Sequence, residues 1–361
     1  MLMTKNSQHN SSSLPPSDAK VDQSSSQAFS QASSKLSGED QEVALPSGEQ
    51  VKAYLITNAA QAPNPWLAWG PLGLLVAVFI FTLSSTSPAA MLLPWLALGG
   101  VMITTSLRVK RMKELEVQAN AIQELAMLRQ FRKCFDLAWL SLPRLVRVPE
   151  LHGRTVAVIA HVLDQLKARD SAIVGYSFLI YRLHEQHPAG TTLKLHRAIA
   201  QLANEQLADA DDSLRRMRHL ENDTDEILPL NRGLYILAKL YQIVQTRHYD
   251  DALEMASDVT DALRPLGVDA GLGHAFVASA FHEMAQRATV NLQSSGHASF
   301  AQGSLQTPDQ MWAVATQHWS DATLLLPVGE LIDRYESIAT LASVPLFAEA
   351  CLSAVPPRTQ Q

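Results

Sequence analysis

The residues best suited to chemistry in this chain are its 12 histidines and a few acidic pairs. His184-Glu185-Gln186-His187 has the composition of a zinc-binding helix, but its second imidazole stands at i+3 instead of i+4, beside the helix-ending Pro188. His282-Glu283-Met284-Ala285-Gln286 has the right register, with Gln where the second His is needed. Gly271-Leu272-Gly273 lacks the third glycine and the preceding strand of a phosphate-binding turn, and reads as a helix start. Asp211-Asp212 and Asp250-Asp251 fall at the expected starts of helices, where a carboxylate meets the positive end of the helix dipole. Cys134 and Cys351 lie far apart in apolar helical contexts, so they form no disulfide framework or thiolate cage and read as buried thiols. No nucleophile–base arrangement emerges. Neither a catalytic residue, a metal nor a cofactor is expected, and binding is the expected kind of function.

Charge divides the elements that must position these residues. Residues 1–107 carry 4 basic and 6 acidic side chains, 108–147 carry 9 and 4, and 148–361 carry 16 and 25. The net charge of -6 removes the cationic footprint of nucleic-acid binding, so no nucleic-acid partner is expected. Residues 1–52 are rich in Ser and Gln and poor in large apolar residues, which predicts a disordered tail. From 53 to 107 there is no Asp, Glu, Lys or Arg. Two apolar runs, Trp66–Leu83 and Ala89–Leu107, flank the uncharged loop 84–88, and each reaches roughly 27–29 Å as a helix, near the thickness of a bilayer's hydrocarbon core. Neither run has the polar stripe of a solvated helix, so a transmembrane hairpin is expected. Arg108, Lys110, Arg111 and Lys113 follow the second run, which holds both termini in the cytoplasm and sets a basic cluster against the anionic leaflet.

Residues 108–149 then read as a juxtamembrane helical stalk. Met112, Leu115, Ile122, Leu125, Leu128, Phe131, Leu137 and Leu140 recur at helical spacing, as one amphipathic helix or two. The hairpin and the stalk are the segments through which a homo-oligomer would form. Beyond 150 the pattern is all-α, with helical stretches of 13 to 18 residues and short breaks. Two half-patterns recur. Ile159-Ala160-x-x-Leu163, Leu237-Ala238-x-x-Tyr241 and Val277-Ala278-x-x-Phe281 give the first; Ala172-x3-Tyr176, Ala210-x3-Leu214, Ala252-x3-Ala256 and Ala315-x3-Trp319 give the second. Small residues let paired helices approach, and Tyr176 and Trp319 fill the gap to the next pair.

Over about 150–328 this resembles the tetratricopeptide repeat, a helix-turn-helix unit that stacks into an α-solenoid. The second-helix alanines stand 38, 42 and 63 residues apart, against about 34 in the family, with an inserted loop at about 289–308 and a C-terminal cap and tail over 329–361. The resemblance implies a groove lined by first helices, with Arg154, His161, Asp164, Gln201, Asn204, Arg232, Tyr235, Lys239, Gln242 and His282 facing an extended protein or peptide partner. Ala157 and His161 stand where the family's carboxylate clamp has Lys and Asn. The expected protein is then an integral membrane, cytoplasm-facing adaptor or scaffold without catalysis. Two alternatives are an assembly component acting through the hairpin at Gly99-Gly100 and a non-catalytic subunit of a membrane-associated enzyme.

Overall fold

In the computed structural model, the described residues are 44–61, 70, 73, 76–80, 93–183, 187, 189–222, 228–256, 258–295, 307–335, 338–344 and 347. The chain divides into two compact units, Met1–Leu45 and Pro46–Gln361, and every helix named below belongs to the second. The fold is all-α, with no strand among the described residues. Helix α1 (Gly48–Thr57) is followed by α2 (Leu93–Met127), α3 (Phe131–Leu145), α4 (Pro149–Gln165), α5 (Arg169–Arg182), α6 (Ala189–Ala203), α7 (Leu207–Arg216) and α8 (His219–Asn222). Then come α9 (Pro229–Thr246), α10 (Asp251–Met255), α11 (Val259–Leu263), a 3-10 turn (Arg264–Asp269), α12 (Ala270–Ser295), α13 (Pro308–Leu325), α14 (Val328–Arg334) and α15 (Ala339–Ala342). From α3 to α7 each helix packs on its chain neighbour, α9 joins α6 to α12, and α12 runs along α13.

One turn geometry makes this a serial array. Arg129, Lys167 and Glu205 all have φ near +60° although none is glycine. Each is followed by a residue with φ near −83° and ψ near 60°, and the next helix begins one residue later. At each junction two backbone bonds repeat: Gln130, Ala168 and Gln206 donate to the carbonyls of Leu125, Leu163 and Gln201, while Arg129, Lys167 and Glu205 donate to those of Ala126, Asp164 and Leu202. That pair of bonds is a Schellman cap, which satisfies carbonyls a helix end would otherwise orphan. The three left-handed residues stand 38 residues apart, and Arg247, the left-handed cap of α9, stands 42 beyond Glu205. These are the alanine spacings of the sequence, because Ala172, Ala210 and Ala252 sit a fixed step after each turn. Ala160 and Gly175 show how close the packing is: a Cβ built on Gly175 would lie 2.9 Å from that of Ala160.

The repeat begins earlier than the sequence pattern suggests. Cys134 stands 38 residues before Ala172 and is fully buried, its thiol donating to the Ile122 carbonyl at 3.2 Å. The segment expected to be a stalk therefore supplies a helix pair of the array, α2 with α3. Its distal part is packed, with Ile122 buried, while Met112, Leu128 and Leu140 remain exposed. The order also extends upstream of the expected tail boundary. Helix α1 opens with a Ser47–Gln50 capping box and buries Val51 and Leu55 completely. Tyr54 stacks on Trp139 of α3 at 3.8 Å between centroids and donates its hydroxyl to the Trp139 carbonyl at 2.5 Å.

At the other end, α12 extends into the expected loop as far as Ser295, residues 296–306 lie outside the described residues, and α13 starts at Pro308 under a Thr307–Gln310 capping box. Asp211 and Asp212 lie inside α7 instead of at its start, and Asp212 pairs with Arg215 and Arg216 one turn on. Among the described residues no helix is long and apolar enough to cross a membrane. The first apolar run and the start of the second fall mostly outside the described residues, as do the first 43 residues, Cys351 and the His184–Pro188 motif except His187.

Candidate functional site

Helices α4, α6, α9 and α12 place side chains on a common face, and the C-terminal segment 328–347 lies across it. This segment, in the region expected to cap the array, has Leu331, Ile338, Leu341 and Phe347 wholly buried. Tyr335 meets Tyr241 of α9 and Phe276 of α12 edge-on, with centroids 4.5 and 5.0 Å away. Phe347 contacts the rings of His282 and Trp319, at 5.6 and 5.8 Å. Polar groups secure the rest. Glu330 pairs with Arg129, in the turn between α2 and α3, and with Arg334. Arg334 also pairs with Asp269 at 3.1 Å, and Arg169 donates to the Arg334 carbonyl at 2.9 Å and to that of Ala203. The segment thus reaches from α12 and α13 back to the first helix pair.

Beneath it lies a cavity of about 370 Å³ whose polar lining includes His161, Asp164, Arg169, His196, Asp269 and Arg334. Burial pushes the Asp164 carboxyl up to about 6, against the pull of Arg169 and Arg334. Burial, reinforced by His161, holds His196 down to about 4, and burial likewise lowers His161. His196 stacks on Tyr176 at 5.9 Å and meets His161 edge-on at 6.2 Å. Tyr176 and Tyr335 are raised well above the usual phenol range by burial. The two arginines are engaged by carbonyls and carboxylates of the chain itself, so the cations at the cavity are compensated from within the fold.

The sequence-derived groove residues do not converge on one surface. His161 and Asp164 line the cavity, and His282 lies beside Phe347. Lys239 and Gln242 line a separate depression with Asp211, to which Gln242 donates at 2.9 Å. Arg154 donates to Gln123 of α2, Gln201 accepts from Ser213 at 3.4 Å, and Asn204 donates to Asp170 at 2.7 Å. Tyr235 is buried and Arg232 half-buried. Arg169, His196, Asp269 and Arg334 were missed by the sequence pattern. The signal that could have found Arg169 is its place just after the repeated left-handed turn.

Toward the start of α2, Arg108, Lys110, Arg111 and Lys113 are exposed along the helix. The same helix exposes Trp95, Leu98, Met102, Ile103 and Leu107 ahead of them. Taken together, these features define a class: a serial all-α array with an internally occupied face and an apolar-then-basic helix at its entry. No protein family, no curated protein and no solved structure matches the chain.

Proposed function

We propose that the protein is a membrane-anchored adaptor, facing the cytoplasm, whose tetratricopeptide-like helical array holds a short segment of a protein partner on the face of its alternate helices. The reading rests on one observation: the chain's own segment 328–347 is held there through ion pairs, an arginine-to-carbonyl bond and aromatic contacts. Those are the interactions by which a groove recognises a short peptide. A partner segment with the same chemistry, an acidic residue one turn before an arginine–aromatic pair, would compete for the site.

The exposed apolar residues of α2 support the anchor, since large apolar side chains left this open are available to lipid. The basic residues that follow would lie at the headgroups, each worth about 1 kcal/mol near an anionic surface.

The test uses the full-length chain in detergent with a labelled peptide of residues 328–347. In the wild type the tethered segment competes at an effective concentration of about millimolar, so the peptide binds poorly. Substituting R334A and Y335A together should loosen the tethered copy and raise peptide affinity by about tenfold or more. Equal, negligible binding by both proteins would remove the peptide-groove reading.

A further inference from the structure

A second site lies between α12 and α13, away from the occupied face. His318 and Asp321 stand at i and i+3 on α13, so their side chains share one side of the helix. His274 faces them from α12, and one ligand-capable atom from each of the three residues falls within 4.8 Å of the other two. The two imidazoles face one another through Nδ1, 2.8 Å apart, with ring planes inclined by 27°. Both histidines are buried, and Asp321 is half-buried.

We propose that His274, His318 and Asp321 bind one divalent transition-metal ion of the zinc class. Two imidazole nitrogens and a carboxylate oxygen are a common zinc donor set, and they leave a fourth position for water. In the absence of an ion one ring donates its Nδ1 hydrogen to the other. To bind the metal through both Nδ1 lone pairs, the donor ring carries its hydrogen on Nε2 instead, so no net proton is released. Zinc–nitrogen bonds of about 2.0–2.1 Å set tetrahedral nitrogens roughly 3.3 Å apart, so the pair need open only by about half an ångström.

The surroundings suit a ligand set. Gln317 donates to Asp321 Oδ1 at 3.1 Å, the outer-shell bond that orients a metal-binding carboxylate. The two helices come close here because Gly271 has no side chain: a Cβ on it would lie 3.2 Å from the Ala322 carbonyl oxygen. That approach brings His274, one turn along α12, opposite the His318–Asp321 face. The site is built on rigid helices, not on loops.

The experiment titrates untagged full-length protein, stripped with a chelator and dialysed, with Zn²⁺ and then with Co²⁺ as a spectroscopic probe. The expected result is one tight equivalent of Zn²⁺ and Co²⁺ ligand-field bands of low coordination number. H318Q should abolish both. D321N changes a partly exposed side chain without altering its size, and should weaken binding about tenfold or more while leaving the circular dichroism spectrum intact; Q317A should weaken it by a smaller factor. Absence of a stoichiometric equivalent in the wild type overturns the proposal. So does binding that survives D321N or H318Q unchanged, which would place the ion on other histidines.

Discussion

Asp164 and His196 share a cavity wall, yet burial moves them in ways that oppose each other in the stability of the fold. Asp164 is pushed up to about 6 in the folded chain, above its unfolded value of about 4. The folded protein therefore keeps a proton that the unfolded chain has lost between those pH values. Stability from this group is full below about pH 4 and is lost as pH rises through 6. His196 is held down to about 4, below an unfolded value of about 6.5, so its contribution is present above pH 6.5 and is lost as pH falls toward 4. In D164N one slope disappears and the other remains. The variant should exceed the wild type in stability by about 1–3 kcal/mol at pH 7.5, with the gain vanishing near pH 4, as read from urea midpoints across that range. A variant less stable than the wild type at pH 7.5 would mean that Arg169 and Arg334 outweigh burial at Asp164.

The repeated turn carries the architecture at the level of elements, and it does so with residues poorly suited to it. A side chain in the left-handed region costs about 1–2 kcal/mol, and glycine is relieved of that cost while losing more entropy on folding. Glu205 is exposed and has φ +61°. E205G should therefore raise the melting temperature by about 1–2 °C, whereas E205A, which keeps the strain, should not; differential scanning calorimetry of the two variants separates them. The same turn explains what was legible in the sequence. The spacing of Ala172, Ala210 and Ala252 reports the turn because each alanine follows it by a fixed step and must be small to pack. Cys134 occupies the matching position one period earlier, but as a different residue type next to a basic cluster it read as stalk. The site was less legible: His161, Asp164 and His282 were found by helical phase, but Arg169 opens a helix just after a turn, and Arg334 and Tyr335 lie in a segment without periodicity. Their role follows from a chain reversal after α13 that no local pattern encodes. The His274–His318–Asp321 cluster was hidden for the same reason, since 44 residues separate the two imidazoles.

On the scale of the whole molecule, one continuous helix, α2, carries three environments in sequence: exposed apolar residues, a basic cluster, and the buried Ala119 and Ile122 that join the array. Trp95, Met102 and Ile103 are 72%, 66% and 63% exposed, while the array's own apolar residues pack elsewhere. A stable water-soluble helix does not usually leave such a run uncovered, because exposing it forfeits about 25 cal/mol for each Å² that could be buried. In the proposed arrangement lipid covers it, the basic residues mark the headgroup boundary, and the array hangs on the cytoplasmic side. The full-length protein should then stay with the membrane pellet through an alkaline carbonate wash. A chain lacking residues 66–107 should move to the supernatant, and high salt alone should release neither the wild type nor a protein neutralised at Arg108, Lys110, Arg111 and Lys113. Lysine at both Leu98 and Met102 tests the same geometry without a deletion, since a cation at the centre of a spanning helix costs about 2.5–3.5 kcal/mol. That variant should lose carbonate resistance while keeping its helical content, and wild-type protein recovered in the wash without detergent would place the run against another protein instead of lipid.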